Sequence, residues 1–194
     1  MKEKYYLGAI NELCKYLYSI AEDSLDYEKL DAYVDRLSKT LFKQADKAKK
    51  DAKVSENCKS REVAEVDTVA QNKRIKKRGI VKFGISTIPQ NIYVINDDYF
   101  AGAEYLLQWI VIKAIENGID IEVDFCKFFQ ENVIENIAIP QLDVVFISNN
   151  FLSQVVTSNE TKKINFSRFY NNLNKKVNKL SYTKNIILEL MTQF

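Results

Sequence analysis

Histidine is absent from this chain of 194 residues. That excludes Ser-His-Asp and Cys-His nucleophile systems, imidazole metal ligands and the side chain that ordinarily titrates near neutral pH. Glycine and proline are scarce, at 5 and 2 residues. The glycines (Gly8, Gly79, Gly84, Gly102 and Gly118) are too scattered to build GxGxxG or a P-loop, so neither ATP-driven nor dinucleotide chemistry is expected. Cys14, Cys58 and Cys126 are odd in number and far apart, which gives neither a disulfide framework nor a CxxC metal knuckle. Long apolar runs are missing too. The longest, around Tyr105 to Ile115, is interrupted by Gln108 and Lys113 and is too short to span a bilayer. No apolar h-region follows Met1-Lys2-Glu3-Lys4-Tyr5-Tyr6, so no signal peptide is expected. These absences predict a cytoplasmic protein (host cytoplasm if phage-encoded) with no membrane partner, no cofactor and no metal.

What is present is globular in character. The hydrophobic share is 46% against 28% charged, which excludes full-length disorder, and the length suffices for a core without metals or disulfides. Heavy use of Lys, Asn and Ile points to AT-rich coding, as in some bacteria, phages and mobile elements. The net charge of +2 hides a segregation: residues 1–79 carry +4, residues 80–160 carry −8 and residues 161–194 carry +6. Such asymmetry bears on partners and assembly rather than on fold.

Residues 4–21 repeat Leu7, Ile10, Leu13, Cys14, Leu17 and Ile20 at helical spacing. Asp26 is placed to cap a second helix from about Tyr27, whose Leu30, Val34, Leu37 and Leu41 form an a/d seam. A helical hairpin over 1–50 follows. Residues 51–79 read as a charged linker ending in Lys73-Arg74-Ile75-Lys76-Lys77-Arg78. From Ile80 the pattern changes to short β-branched runs at 80–85, 92–95, 119–123 and 142–147. Helices are predicted at Tyr99 to Asn117, closed by Gly118, and at about Phe125 to Glu135. A short helix should start at Asn149-Asn150, and the tail from Lys162 reads as two helices without another strand. The fold class is therefore α/β, with mixed α+β as the variant: a helical hairpin, a basic linker, then over 80–194 a small, mostly parallel sheet with flanking helices and a helical tail. Trp109, mid-helix among Tyr105, Leu106, Ile110 and Ile112, is assigned to the core.

Three constellations bear on function. Asp97, Asp98 and Asp124 follow predicted strands, where carboxylates can converge on Mg²⁺ in a nuclease. The same positions serve as helix caps, so an enzyme is not expected. Residues 92–98, the helix ending at Gly118 and Leu142 to Ile147 resemble the first half of a response-regulator receiver domain. That resemblance implies an Mg²⁺-binding acidic pair, but Ser148 stands where the family carries its phosphorylated Asp. At most it implies a degenerate receiver-like domain without phosphotransfer.

Basic clusters form the second constellation. Lys73, Arg74, Lys76, Lys77 and Arg78, with Arg168, Lys175, Lys176 and Lys179, are the candidate nucleic-acid contacts, the latter group interleaved with asparagines. The same charges would equally serve the acidic middle of the chain. The third constellation is a tyrosine-rich hairpin, in which Tyr5, Tyr6, Tyr16, Tyr18 and Tyr33 are candidates for a protein-binding face or for self-association. The reading is a non-enzymatic, nucleic-acid-associated accessory protein. Its alternative is a protein–protein adaptor or assembly component.

Overall fold

The computed structural model describes residues 2–51, 81–85, 89–129, 133–155 and 161–193. Two helices open the chain, α1 (Lys2–Glu22) and α2 (Tyr27–Asp51). The Asp26 carboxylate accepts from the Lys29 backbone N–H at 3.2 Å, so the predicted cap forms. The turn between the helices is held from outside. Asp26 N donates to the Phe169 carbonyl at 2.7 Å and Asn171 N to the Ser24 carbonyl at 2.6 Å.

Six strands follow: β1 (Val81–Phe83), β2 (Asn91–Asn96), β3 (Ile121–Phe125), β4 (Ile134–Ile139), β5 (Val144–Asn149) and β6 (Lys162–Asn165). Helix α3 (Ala101–Glu116) lies between β2 and β3, and α4 (Val177–Thr192) closes the chain. The sheet order is β1-β3-β4-β5-β2-β6. Pairs β1–β3, β2–β5 and β2–β6 are parallel, whereas β4 runs antiparallel to both neighbours. This is a mixed α/β fold with an N-terminal helical hairpin.

Three predicted elements are corrected. The helix expected over Phe125 to Glu135 is instead the end of β3, a turn and the start of β4. Ile134, Ile137 and Ile139 reward an extended chain that lays Ile137 and Ile139 in the core, and Pro140 stops the strand. The Asn149-Asn150 pair starts no helix. The Asn150 carboxamide accepts from the backbone N–H of Leu152 and Ser153, both at 2.9 Å, which closes a turn instead. In the tail, Lys162–Asn165 joins the sheet beside β2, and Asn172 adopts φ 56°, breaking the first of the two expected tail helices, that around Ser167 to Leu180.

One sheet face carries the main core. Ile95, Ile121, Val123, Ile137, Ile139, Val144, Phe146 and Ile164 pack with Leu30, Val34 and Leu41 of α2 and Leu106, Leu107 and Ile110 of α3. A second core joins α1 to α4 through Ile10, Cys14, Leu17, Leu180 and Ile187, with Phe100, Phe129 and Phe151. Burial pushes the Cys14 thiol up to about 12 and the Cys126 thiol up to about 11, so both behave as small apolar fillers. Trp109 is half-buried at the margin of the main core, with the Lys113 ammonium 4.6 Å from its ring centroid, so it edges the core rather than filling it. No helix of the described residues is long and apolar enough to cross a membrane.

Candidate nucleic-acid interface

The first carboxylate constellation resolves into structure. Asp97 follows β2 and is buried. Its carboxylate accepts from Tyr99 N at 3.1 Å, Ala103 N at 2.8 Å and the Tyr170 hydroxyl at 2.8 Å. Burial raises its pKa and the hydrogen bonds oppose that rise. The first turn of α3, where a parallel fold offers its amides to an anion, is filled by the chain's own carboxylate. Asp98 takes a different partner, the Lys184 ammonium at 3.2 Å, and Asp124 lies on β3. Among the described residues no three His, Cys, Asp or Glu side chains group as metal ligands. Phe100, at φ 68°, lets the chain turn from β2 into α3 around this cap.

A second acidic group, Glu104, is buried where α3 passes α1. It accepts from the Gln108 carboxamide at 3.0 Å and from the Tyr18 hydroxyl. Together with Lys15, Glu22, Phe129 and Val133 they line an open cleft of about 500 Å³. Burial, reinforced by Glu104, holds the Tyr18 hydroxyl protonated far above its ordinary range. Tyr18 is partly buried in the wall of this cleft, packed edge-on to Phe129 at 6.3 Å.

Positive charge and aromatic rings meet on another face, formed by α2, β6 and the 3-10 turn Phe166–Phe169. A cleft of about 540 Å³ is lined there by Lys29, Ala32, Tyr33, Arg36, Arg168 and Phe169. The Arg168 guanidinium lies 4.9 Å from the Tyr33 ring centroid and 4.7 Å from that of Phe169. It also hydrogen-bonds the Tyr33 hydroxyl, whose pKa burial raises against the pull of this cation. The two rings are themselves in contact at 5.2 Å. Arg36 spends its Nε–H on the Ala32 carbonyl at 3.0 Å. Among the described residues, neither Arg36 nor Arg168 is paired with a carboxylate. Lys29 is paired, with Asp26 at 2.5 Å. On the adjoining sheet edge the Lys162 ammonium sits 4.8 Å from the Tyr93 ring centroid and donates to the Tyr93 hydroxyl at 3.2 Å. Tyr93 in turn stacks on buried Phe146 at 4.8 Å.

Of the basic residues singled out from sequence, Arg168 lies at the centre of this cluster. Lys175 and Lys179 are exposed on the α4 side of the molecule, next to α1 rather than α2. Lys176 is anchored: its ammonium donates to the Ile20 carbonyl at 3.1 Å and approaches Asp23 at 3.7 Å, fastening the start of α4 to the end of α1. Lys73, Arg74, Lys76, Lys77 and Arg78 lie outside the described residues. Of the tyrosines, Tyr33 joins the basic cleft and Tyr18 the acidic one. Tyr5 and Tyr16 are exposed, and Tyr6 is partly covered. Sequence reasoning missed Lys29 and Arg36. Their one local signal is the seven-residue spacing Lys29-Arg36-Lys43, which keeps a basic stripe beside the a/d seam.

No protein-family model matches the chain, and no curated protein or solved structure shows a significant match to it.

Proposed function

We propose that this chain is a non-catalytic nucleic-acid-binding protein whose interface is the face formed by α2, β6 and the turn Phe166–Phe169. One observation carries the reading. An exposed arginine, Arg168, lies within 5 Å of the centroids of two aromatic rings, in an open cleft that it shares with Arg36, and neither arginine has a carboxylate partner among the described residues. An arginine restrained by neighbouring aromatics loses less entropy on meeting a nucleotide, and a guanidinium can fork onto phosphate oxygens or stack on a base. Lys29, Arg36, Lys43 and Lys162 extend the positive face on either side. Phosphate contacts release counterions, so affinity should fall steeply as salt rises.

The test is a salt titration of polynucleotide binding with the native chain and with Lys29→Ala/Arg36→Ala/Arg168→Ala. The variant should bind less tightly, and the slope of log affinity against log salt should shrink by about 2 to 3. Equal slopes for variant and native protein would remove this face as the interface. Tyr5, Tyr16 and Tyr182, at 83%, 49% and 70% exposure, favour a second reading in which the outer surfaces of α1 and α4 bind a protein partner or another copy of the chain.

A further inference from the structure

The cleft bears on which form of nucleic acid is bound, an inference that rests on the reading above. We infer that the cleft between α2 and the turn Phe166–Phe169 accepts an unpaired nucleotide, so that the protein selects single-stranded over duplex nucleic acid. Arg168 is exposed, with its guanidinium within 5 Å of both the Tyr33 and the Phe169 ring centroids. The two rings back the cation from the protein side, and its exposed atoms offer a charged surface beside them. Arginine planes and aromatic rings are the surfaces on which unpaired bases stack, and such stacking tolerates any base because each has a π-face.

The cleft selects further. It is an open hollow of about 540 Å³, with Arg36 and Lys29 on its α2 side. A single nucleotide can place its base on Arg168 and its phosphate on Arg36. A duplex keeps its base faces stacked inside and so can offer Arg168 only phosphates. Among the described residues Arg36 uses only its Nε–H, on the Ala32 carbonyl, and its terminal amino groups are the ones that would meet the nucleotide's phosphate.

The wall continues as a track. Lys29, Arg36 and Lys43 recur at seven-residue intervals on α2, a run of about 21 Å at 1.5 Å per residue. Successive phosphates of an extended strand can follow it out of the cleft. Asp31 points elsewhere, its carboxylate accepting from the Tyr105 hydroxyl of α3. Glu28 and Asp35 fall on that same far side of the helix by their spacing.

The experiment is fluorescence anisotropy with labelled 20-nucleotide oligo-dT, oligo-U and a 20-base-pair DNA duplex at one fixed ionic strength. The native chain should bind at least one single strand at least tenfold more tightly than the duplex. Arg168→Ala should lose about tenfold on the single strand and clearly less on the duplex, where only its charge is lost. Arg168→Lys keeps the charge without the plane and should lose nearly as much, with thermal melting used to confirm that both variants fold. Full rescue by Arg168→Lys would reduce Arg168 to a point charge and overturn the stacking platform. Duplex bound as tightly as single strand would overturn the selection while leaving the proposed function standing. No binding to any of the three at low salt would overturn both.

Discussion

At Asp97 opposing forces act on one carboxyl group. Burial disfavours its charge, while the Tyr170 hydroxyl and the amides of Tyr99, Gly102 and Ala103 favour it, and burial prevails. A carboxyl whose folded pKa is raised binds its proton more tightly in the native state than in the unfolded chain. Its contribution to stability is therefore full below about 4, the unfolded value, and is lost as pH rises through the folded pKa. Relative to Asp97→Asn, which cannot titrate, the native chain should lose stability from pH 4 upward until the group is fully ionised. Urea midpoints of both proteins at several pH values report this difference, and a native advantage that grew with pH would mean that the donors hold Asp97 ionised. Gly102 belongs to the same corner. A Cβ there would lie 2.4 Å from Cδ1 of Phe166 and 3.2 Å from the Asp97 carboxylate. Alanine gains up to about 1 kcal/mol in helix propensity, but overpacking a closed core typically costs about 1–3 kcal/mol. Gly102→Ala should lower the urea midpoint without changing the slope of the transition.

Elements were legible where one chain segment determines its own state. The hairpin, α3 with its Gly118 stop at φ 65°, and strands β2, β3 and β5 follow from periodicity and caps. Strands β4 and β6 were not legible, because a run such as Lys162 to Asn165 is extended only when a neighbour such as β2 offers its edge. The cleft was half legible for the same reason. Arg168 stands in a basic segment, but nothing local tells that its turn docks on α2 through the Phe169 carbonyl and the Tyr33 ring. Lys176 shows the converse, a residue of the same basic segment that the fold uses as a fastener. Its ammonium joins α4 to the C-terminal end of α1. Lys176→Ala should destabilise the protein by about 1 kcal/mol, the usual net worth of one such bond, and leave polynucleotide affinity within about twofold. Loss of binding without loss of stability would return Lys176 to the interface.

Across the whole molecule, the two cores are joined rather than adjacent. Tyr18 and Tyr99 pack against both, so the contacts of α1 with α4 and those of α2 and α3 with the sheet share side chains. The hairpin turn is bonded to residues 169–171, which ties the first helices to the segment following β6. Charge is redistributed by the same folding. Asp97, Glu104 and Glu122, three of the acids behind the −8 of residues 80–160, are buried, so the exposed surface is less acidic there than the sequence suggests. With this interlocking, separate melting of the hairpin would expose Leu30, Val34 and Ile95 together, which burial of each side chain at about 1.5–3 kcal/mol makes costly. Unfolding should therefore be one cooperative transition. Helix loss by far-UV circular dichroism reports mainly α1, α2, α3 and α4. The emission of Trp109, the sole tryptophan, reports the margin of the sheet core. The two signals should give coincident urea midpoints. A circular dichroism midpoint clearly below that of Trp109 would show that the hairpin leaves first and that the cores are energetically separable.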